Sequence, residues 1–144
     1  MLNGGYNNSL DDKGRLSFPS ALKKGFVGDI LVVTRGVDRC LWAYPPELWT
    51  CFAEKWEKAS PMLNDVRKMQ RHFLGWASEI EIDKSSRLAI PQSLREYAGL
   101  SRNCTILGVG QRIEIWDSDM YKTINEGEDQ DDIARAAEQF AGMF

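Results

Sequence analysis

The chain has 144 residues, 43% of them hydrophobic, 10% aromatic and 27% charged, a composition that suits one compact domain or two very small ones and excludes collagen-like, disordered and disulfide-scaffold proteins. The formal net charge of −3 speaks against a nucleic-acid binder only until it is located: residues 126–144 hold six acids and one base, leaving 17 bases and 15 acids over the other 125 residues. The acidic balance belongs to the tail.

No apolar run approaches the ~18 residues of a membrane span, and the N-terminus lacks the basic-then-apolar plan of a secretory signal, so a cytoplasmic protein with no membrane partner is expected. Cys40, Cys51 and Cys104 form no CxxC pair and His72 is the single histidine. Neither a zinc site nor a disulfide framework is signalled, and the thiols read as small, partly buried apolar residues.

Displaced against itself by 72 residues, half its length, the sequence aligns 10–24 with 82–96 without a gap. Asp11 meets Asp83, Arg15 meets Arg87, and Leu16, Pro19 and Leu22 meet Leu88, Pro91 and Leu94. Gly36-Val37 falls on Gly108-Val109, and Tyr44 on Trp116. A duplicated unit of this kind governs the architecture.

In chain order, 6–10 and 15–18 read as two strands joined by the polar turn Asp11-Asp12-Lys13-Gly14, with apolar Leu16 and Phe18 alternating with Arg15 and Ser17. Pro19 opens a short helix over 20–24. Strands follow at 30–34 and 40–44. Leu48, Trp49, Phe52 and Trp56 then form a helical stripe, either packed within the domain or presented to another subunit. Ser60-Pro61 read as an N-cap and first-turn proline, and Met62, Val66, Met69 and Phe73 mark a second helix that ends at Gly75. The second copy repeats the scheme: a strand at 79–82, the turn Asp83-Lys84-Ser85-Ser86, a strand at 87–90, a helix at 92–97, and strands at 105–107 and 113–116. Gly14 supplies a residue suited to positive φ, and Ser86 stands in its place in the second turn.

The expected fold class is therefore α+β, mainly β: two β-hairpin, helix, β-hairpin units at 5–47 and 76–119, related by a pseudo-two-fold axis, their short helices covering a shared small barrel. An αα-hairpin connector occupies 48–75, and an acidic, partly helical tail 120–144. A unit of about 40 residues buries too little surface to stand alone.

The paired D-x-x-x-R motifs, Asp11/Arg15 and Asp83/Arg87, resemble those of the MraZ family of bacterial transcriptional regulators, as does the stretch 66–100 with Arg71, Leu74-Gly75, Ala77-Ser78-Glu79 and Ala98-Gly99-Leu100. The resemblance covers residues 1 to about 125. It implies two SpoVT-AbrB-like swapped-hairpin units, a homo-oligomeric ring, and binding of double-stranded promoter DNA through the surface bearing the two loops. By the same resemblance the target is a set of G-rich direct repeats ahead of the cell-division and cell-wall gene cluster, and the protein is nucleoid-associated.

Arginine carries a planar fork that grips a phosphate or pairs with both acceptors of guanine, so Arg15 and Arg87 are the expected base or phosphate contacts, with Lys13 and Lys84 as supplementary phosphate charges. Asp11 and Asp83 are repelled by phosphates. They are expected to accept backbone N–H groups in their own turns or to hold the arginine four residues on in a fixed direction, with Gly14 shaping the first turn. The aromatic residues Trp42, Tyr44, Trp49 and Trp56 are candidates for a head-to-tail ring contact. No GxxxxGK[ST], no GxSxG and no second histidine is present, so neither an enzyme nor a cofactor, metal or small-molecule substrate is expected. The competing reading is a ring scaffold, or an antitoxin-like module whose acidic tail binds a partner.

Overall fold

The computed structural model describes residues 1–126 and 130–144. The middle of the expected acidic spacer, residues 127–129, lies outside the described residues. The first unit comprises β1 (Leu2–Ser9), β2 (Arg15–Ser17), α1 (Ser20–Lys23), β3 (Ile30–Arg35), β4 (Leu41–Tyr44), α2 (Pro46–Glu57) and α3 (Asn64–Phe73). The second repeats it as β5 (Ser78–Glu81), β6 (Arg87–Ala89), α4 (Gln92–Ala98), β7 (Asn103–Gly110), β8 (Ile113–Asp117), α5 (Ser118–Glu126) and α6 (Gln130–Gln139).

Six strands form an antiparallel sheet in the order β1-β7-β8-β4-β3-β5, and β2 pairs with β6 in a separate ladder. Exchanging each strand for its counterpart in the other unit reverses the sheet order and leaves it otherwise unchanged. The pseudo-two-fold axis can be located from register. Leu16 lies opposite Leu88, and Trp42 lies opposite Glu114, each residue paired with the one 72 positions away. The α+β, mainly β architecture of two related units is thus the observed one.

The pairing within each unit differs from the sequence expectation. β1 does not form a hairpin with β2, nor β5 with β6. The backbone pairing there is a single isolated bridge between Leu10, just after β1, and Leu16 of β2, while β1 runs along β7 and β5 along β3 of the opposite unit. Local alternation marks which residues are strands but carries no information on a partner far away in sequence. Here the chain leaves the turn toward the other half: Leu10 N–H donates to the Arg102 carbonyl at 2.8 Å, and Ile82 N–H to that of Asp29 at 2.7 Å. Close pairing of β1 also depends on Gly108, where a Cβ would lie 2.5 Å from the Asn3 nitrogen. The β3–β4 and β7–β8 hairpins are as expected.

The 72-residue correspondence slips by one in β3. Val33 faces Ala43 and Ile106 faces Ile115, so Val33 corresponds to Ile106, 73 residues on, although Ala43 corresponds to Ile115 at 72. Gly36 and Gly108 are therefore sequence matches rather than structural equivalents.

Both halves furnish one core. Leu16, Phe18, Leu22, Leu31, Val33 and Leu41 from the first meet Leu88, Ile90, Leu94, Ile106, Ile113 and Ile115 from the second. Each fully buried side chain of this size contributes roughly 1.5–3 kcal/mol over its exposed state.

The helical stripe packs within the chain. Trp42 stacks on Phe73 with ring centroids 5.4 Å apart, Tyr44 stacks on Phe52 at 5.0 Å, and Trp56 and Phe52 also meet Phe73. Phe73 is almost fully buried, and the Thr34 hydroxyl donates to its carbonyl. Ser60 is not the N-cap of α3, which starts at Asn64. Ser60 closes a separate turn, its carbonyl accepting from Leu63 N–H, and no side chain caps the helix. His72 is a packing residue, with Nε2 2.8 Å from the Gly36 carbonyl and its ring edge-on to Phe73 and Tyr97. Cys40 and Cys104 are buried as expected. Cys51 is exposed on α2.

Candidate nucleic-acid interface

The two D-x-x-x-R segments fold into nearly identical turns. In the first, Asp11 N–H donates to the Arg15 carbonyl and Gly14 N–H to the Asp11 carbonyl; in the second, Asp83 and Arg87 make the first of these bonds and Ser86 and Asp83 the other. Gly14 has φ 78° and Ser86 φ 59°. Serine thus adopts the left-handed conformation that glycine enters freely, at a cost of roughly 1–2 kcal/mol for an L-residue.

The aspartates tie these turns together. Oδ1 of Asp11 accepts the N–H groups of Lys13 at 3.0 Å and Arg15 at 2.8 Å, and its Oδ2 holds Arg15 Nε at 2.8 Å. Oδ1 of Asp83 accepts Ser85 and Arg87 N–H, both at 2.9 Å, with Arg87 Nε 3.4 Å from Oδ2. Both carboxyls are held below the usual carboxylate range, first by the backbone N–H of the arginine four residues on, with the guanidinium charge and the other turn N–H adding to it. The two roles expected of the aspartates, turn acceptor and arginine anchor, are performed by the same carboxylate.

Arg15 is gripped by a hydrogen bond at Nε, whereas Arg87 Nε is buried without a hydrogen bond and stands only in an ion pair with Asp83; in both, the terminal nitrogens are left over. Those nitrogens meet no acceptor among the described residues. The arginine side chains are 32% and 36% exposed, so they are neither in the core nor freely solvated. Leu16 and Leu88 face inward between them, which puts Arg15 and Arg87 together on the opposite face of the β2–β6 ladder. In that ladder Arg15 pairs with Ala89 and Ser17 with Arg87, a diagonal relation that separates the two arginines' backbones by roughly 7–8 Å. The turns are further locked across the axis: Ile90 N–H donates to the Gly14 carbonyl at 2.9 Å and Phe18 N–H to that of Ser86 at 2.8 Å. Lys13 and Lys84 are exposed at the turn tips.

Sequence reasoning missed Arg95. This α4 residue lies flat on the first turn, with Cζ, Nε and Nη1 only 2.6–2.8 Å from where a Gly14 Cβ would stand, and its Nε donates to the Ile90 carbonyl at 3.0 Å. Gly14 is consequently buried, whereas Ser86 is exposed. The available signal was the alignment itself, which sets Arg95 against Lys23. Among the described residues no group of three or more histidine, cysteine, aspartate or glutamate side chains is placed to hold a metal ion. No helix among them is long and apolar enough to cross a membrane.

The duplication has a direct counterpart among known proteins. The family described as "MraZ protein, putative antitoxin-like" matches the chain twice, over residues 1–72 and 73–142. The chain belongs to the MraZ family. The two MraZ matches divide it at the interval that relates Leu16 to Leu88. The chain is also similar to the transcriptional regulator MraZ of Treponema denticola, 40% identical over 138 residues that cover 95% of each chain.

Proposed function

We propose that this protein is a sequence-specific DNA-binding transcriptional regulator that acts as a ring-shaped homo-oligomer on direct repeats in the promoter of the cell-division and cell-wall gene cluster. Arg15 and Arg87 contact bases or phosphates, Lys13 and Lys84 add phosphate charge, and Asp11, Asp83 and Gly14 set the direction of the arginines. The observation that carries this reading is the pair of guanidiniums on one outward face, each ion-paired to the aspartate four residues before it, with the terminal fork, which matches phosphate or guanine, left open. The name of the Treponema denticola relative supports the regulatory role.

One chain brings few cations, so its affinity for a duplex is modest and salt-sensitive. Identical faces repeated around a ring convert weak contacts on tandem repeats into avidity. In this scheme residues 5–47 and 76–119 are the two DNA-facing units, 48–75 the helical connector and 120–144 the tail, and the protein resides in the cytoplasm on the nucleoid.

The test is a gel shift against the DNA just upstream of the protein's own gene, with wild type, Arg15→Ala and Arg87→Ala, and the oligomeric state of each followed by light scattering. Loss of retention with the oligomer intact is the expected result. Unchanged retention in both variants removes the site assignment and favours the alternative of a partner-binding, antitoxin-like scaffold, to which the family's description points.

A further inference from the structure

The two turns are alike in backbone but not in surroundings, and the difference lies in one pair of residues. Arg95 and Lys23 occupy matching places at the 72-residue interval, one near the end of α4 and the other ending α1. Lys23 is neutralised within its own unit: Nζ is 2.7 Å from Asp29, it also donates to the Gly28 carbonyl, and it stands 5.3 Å from the Phe26 ring centroid. Arg95 crosses the axis. It covers Gly14, the residue between Lys13 and Arg15, and pairs with no carboxylate among the described residues.

One edge of its guanidinium is occupied at Nε by the Ile90 carbonyl, while Nη1 and Nη2 make no hydrogen bond with the described residues. Two solvent-open clefts, one along Leu10–Asp12 and Ser101–Arg102 and the other along Gln92, Glu96 and Gly99, meet at this side chain. An uncompensated guanidinium held by packing and by a single carbonyl is weakly hydrated and loses little freedom on taking up an anion.

We propose that Arg95 is a further DNA-contacting cation, gripping a backbone phosphate beside the first turn only, so that the two turns of one chain hold the duplex unequally. This rests on the DNA-binding reading above. The same packing accounts for glycine at position 14 and serine at 86: a side chain at 14 would displace the Arg95 guanidinium, whereas Ser86 is exposed.

The experiment measures fluorescence anisotropy of two labelled duplexes, the upstream segment and a shuffled version of it, over roughly 50–200 mM salt. Wild type, Arg95→Gln, Arg95→Lys and Arg15→Gln are compared, with folding checked by thermal melts. For Arg95→Gln both duplexes are expected to bind more weakly by the same factor, with the slope of log K against log salt falling by about 0.9 per subunit engaged. Arg95→Lys keeps the slope. An unchanged slope in Arg95→Gln, or a loss confined to the upstream duplex, overturns the proposal and leaves Arg95 a packing residue of the turn. If wild type binds neither duplex, the DNA-binding reading itself fails and the Arg95 contact falls with it; if Arg15→Gln leaves binding of both untouched, the first turn is not a DNA contact and the placing of Arg95 beside it is overturned.

Discussion

Leu16 and Leu88 face each other across the β2–β6 ladder, both inaccessible to solvent and each the other's counterpart in the repeat. The axis passes between them, directly beneath the outward face that carries Arg15 and Arg87. This contact fixes the spacing of the two guanidiniums. Truncation of either leucine to alanine should cost about 2–5 kcal/mol of stability in urea unfolding. The double variant should depart from the sum of the singles by roughly 0.5–3 kcal/mol, because the two side chains share one site.

Gly14 and Ser86 are expected to respond unequally to substitution. Gly14→Ala imposes the left-handed penalty and drives a methyl into the Arg95 guanidinium, so a loss of at least ~1–2 kcal/mol in a thermal or urea melt is predicted. Ser86→Gly relieves strain at an exposed site at the cost of added freedom in the unfolded chain, and should stay within about 1 kcal/mol of wild type.

Asp11→Asn separates charge from orientation. The substitution makes the face more positive, so a purely electrostatic surface would bind DNA more tightly. The amide oxygen can still accept the Lys13 and Arg15 N–H groups, but the grip on Arg15 Nε is weakened. Weaker binding in a titration, despite the gained charge, is the expected outcome, and tighter binding would refute the anchoring role.

The same carboxylates set a pH limit. Their folded pKa values lie below the ordinary value of 3.8. A depressed carboxyl contributes stability that is present above its unfolded pKa and is lost as pH falls through the folded one. The turns should therefore hold unchanged from pH 8 to about 5 and open only below the usual carboxylate range. Carbon-13 titration of the Asp11 and Asp83 carboxyls checks this.

Thiol reactivity should follow burial. Cys104 is pushed up to about 11 and Cys40 higher still, each chiefly by desolvation, whereas Cys51 is exposed. A colorimetric thiol reagent is expected to modify one cysteine rapidly in the native protein and the other two only on unfolding.

What could be read from the sequence was local or repeated. The period-2 runs around Leu16 and Leu88, the prolines opening the short helices and the aromatic stripe of α2 each report a residue's own surroundings, and all stand where expected. The aspartate's double role was legible because an acceptor two and four residues ahead of turn N–H groups is a short-range arrangement. The crossing of β1 to β7 was not, since alternation says nothing about which distant strand supplies the ladder. The one-residue slip in β3 was hidden for a related reason: an ungapped alignment cannot register a loop that is longer in one copy and compensated in the next. Arg95 escaped because its contact with Gly14 joins residues of different units, and only the departure from symmetry at Lys23 hinted at it.

The axis through the Leu16–Leu88 contact also bears on how this molecule can change over time. A subunit that had to meet a second copy of itself would display every substitution twice, once on each side. Because both sides here are written separately into a single polypeptide, Arg95 and Lys23, like Gly14 and Ser86, are free to diverge, and the molecule can present two different grips to a ligand that is itself asymmetric.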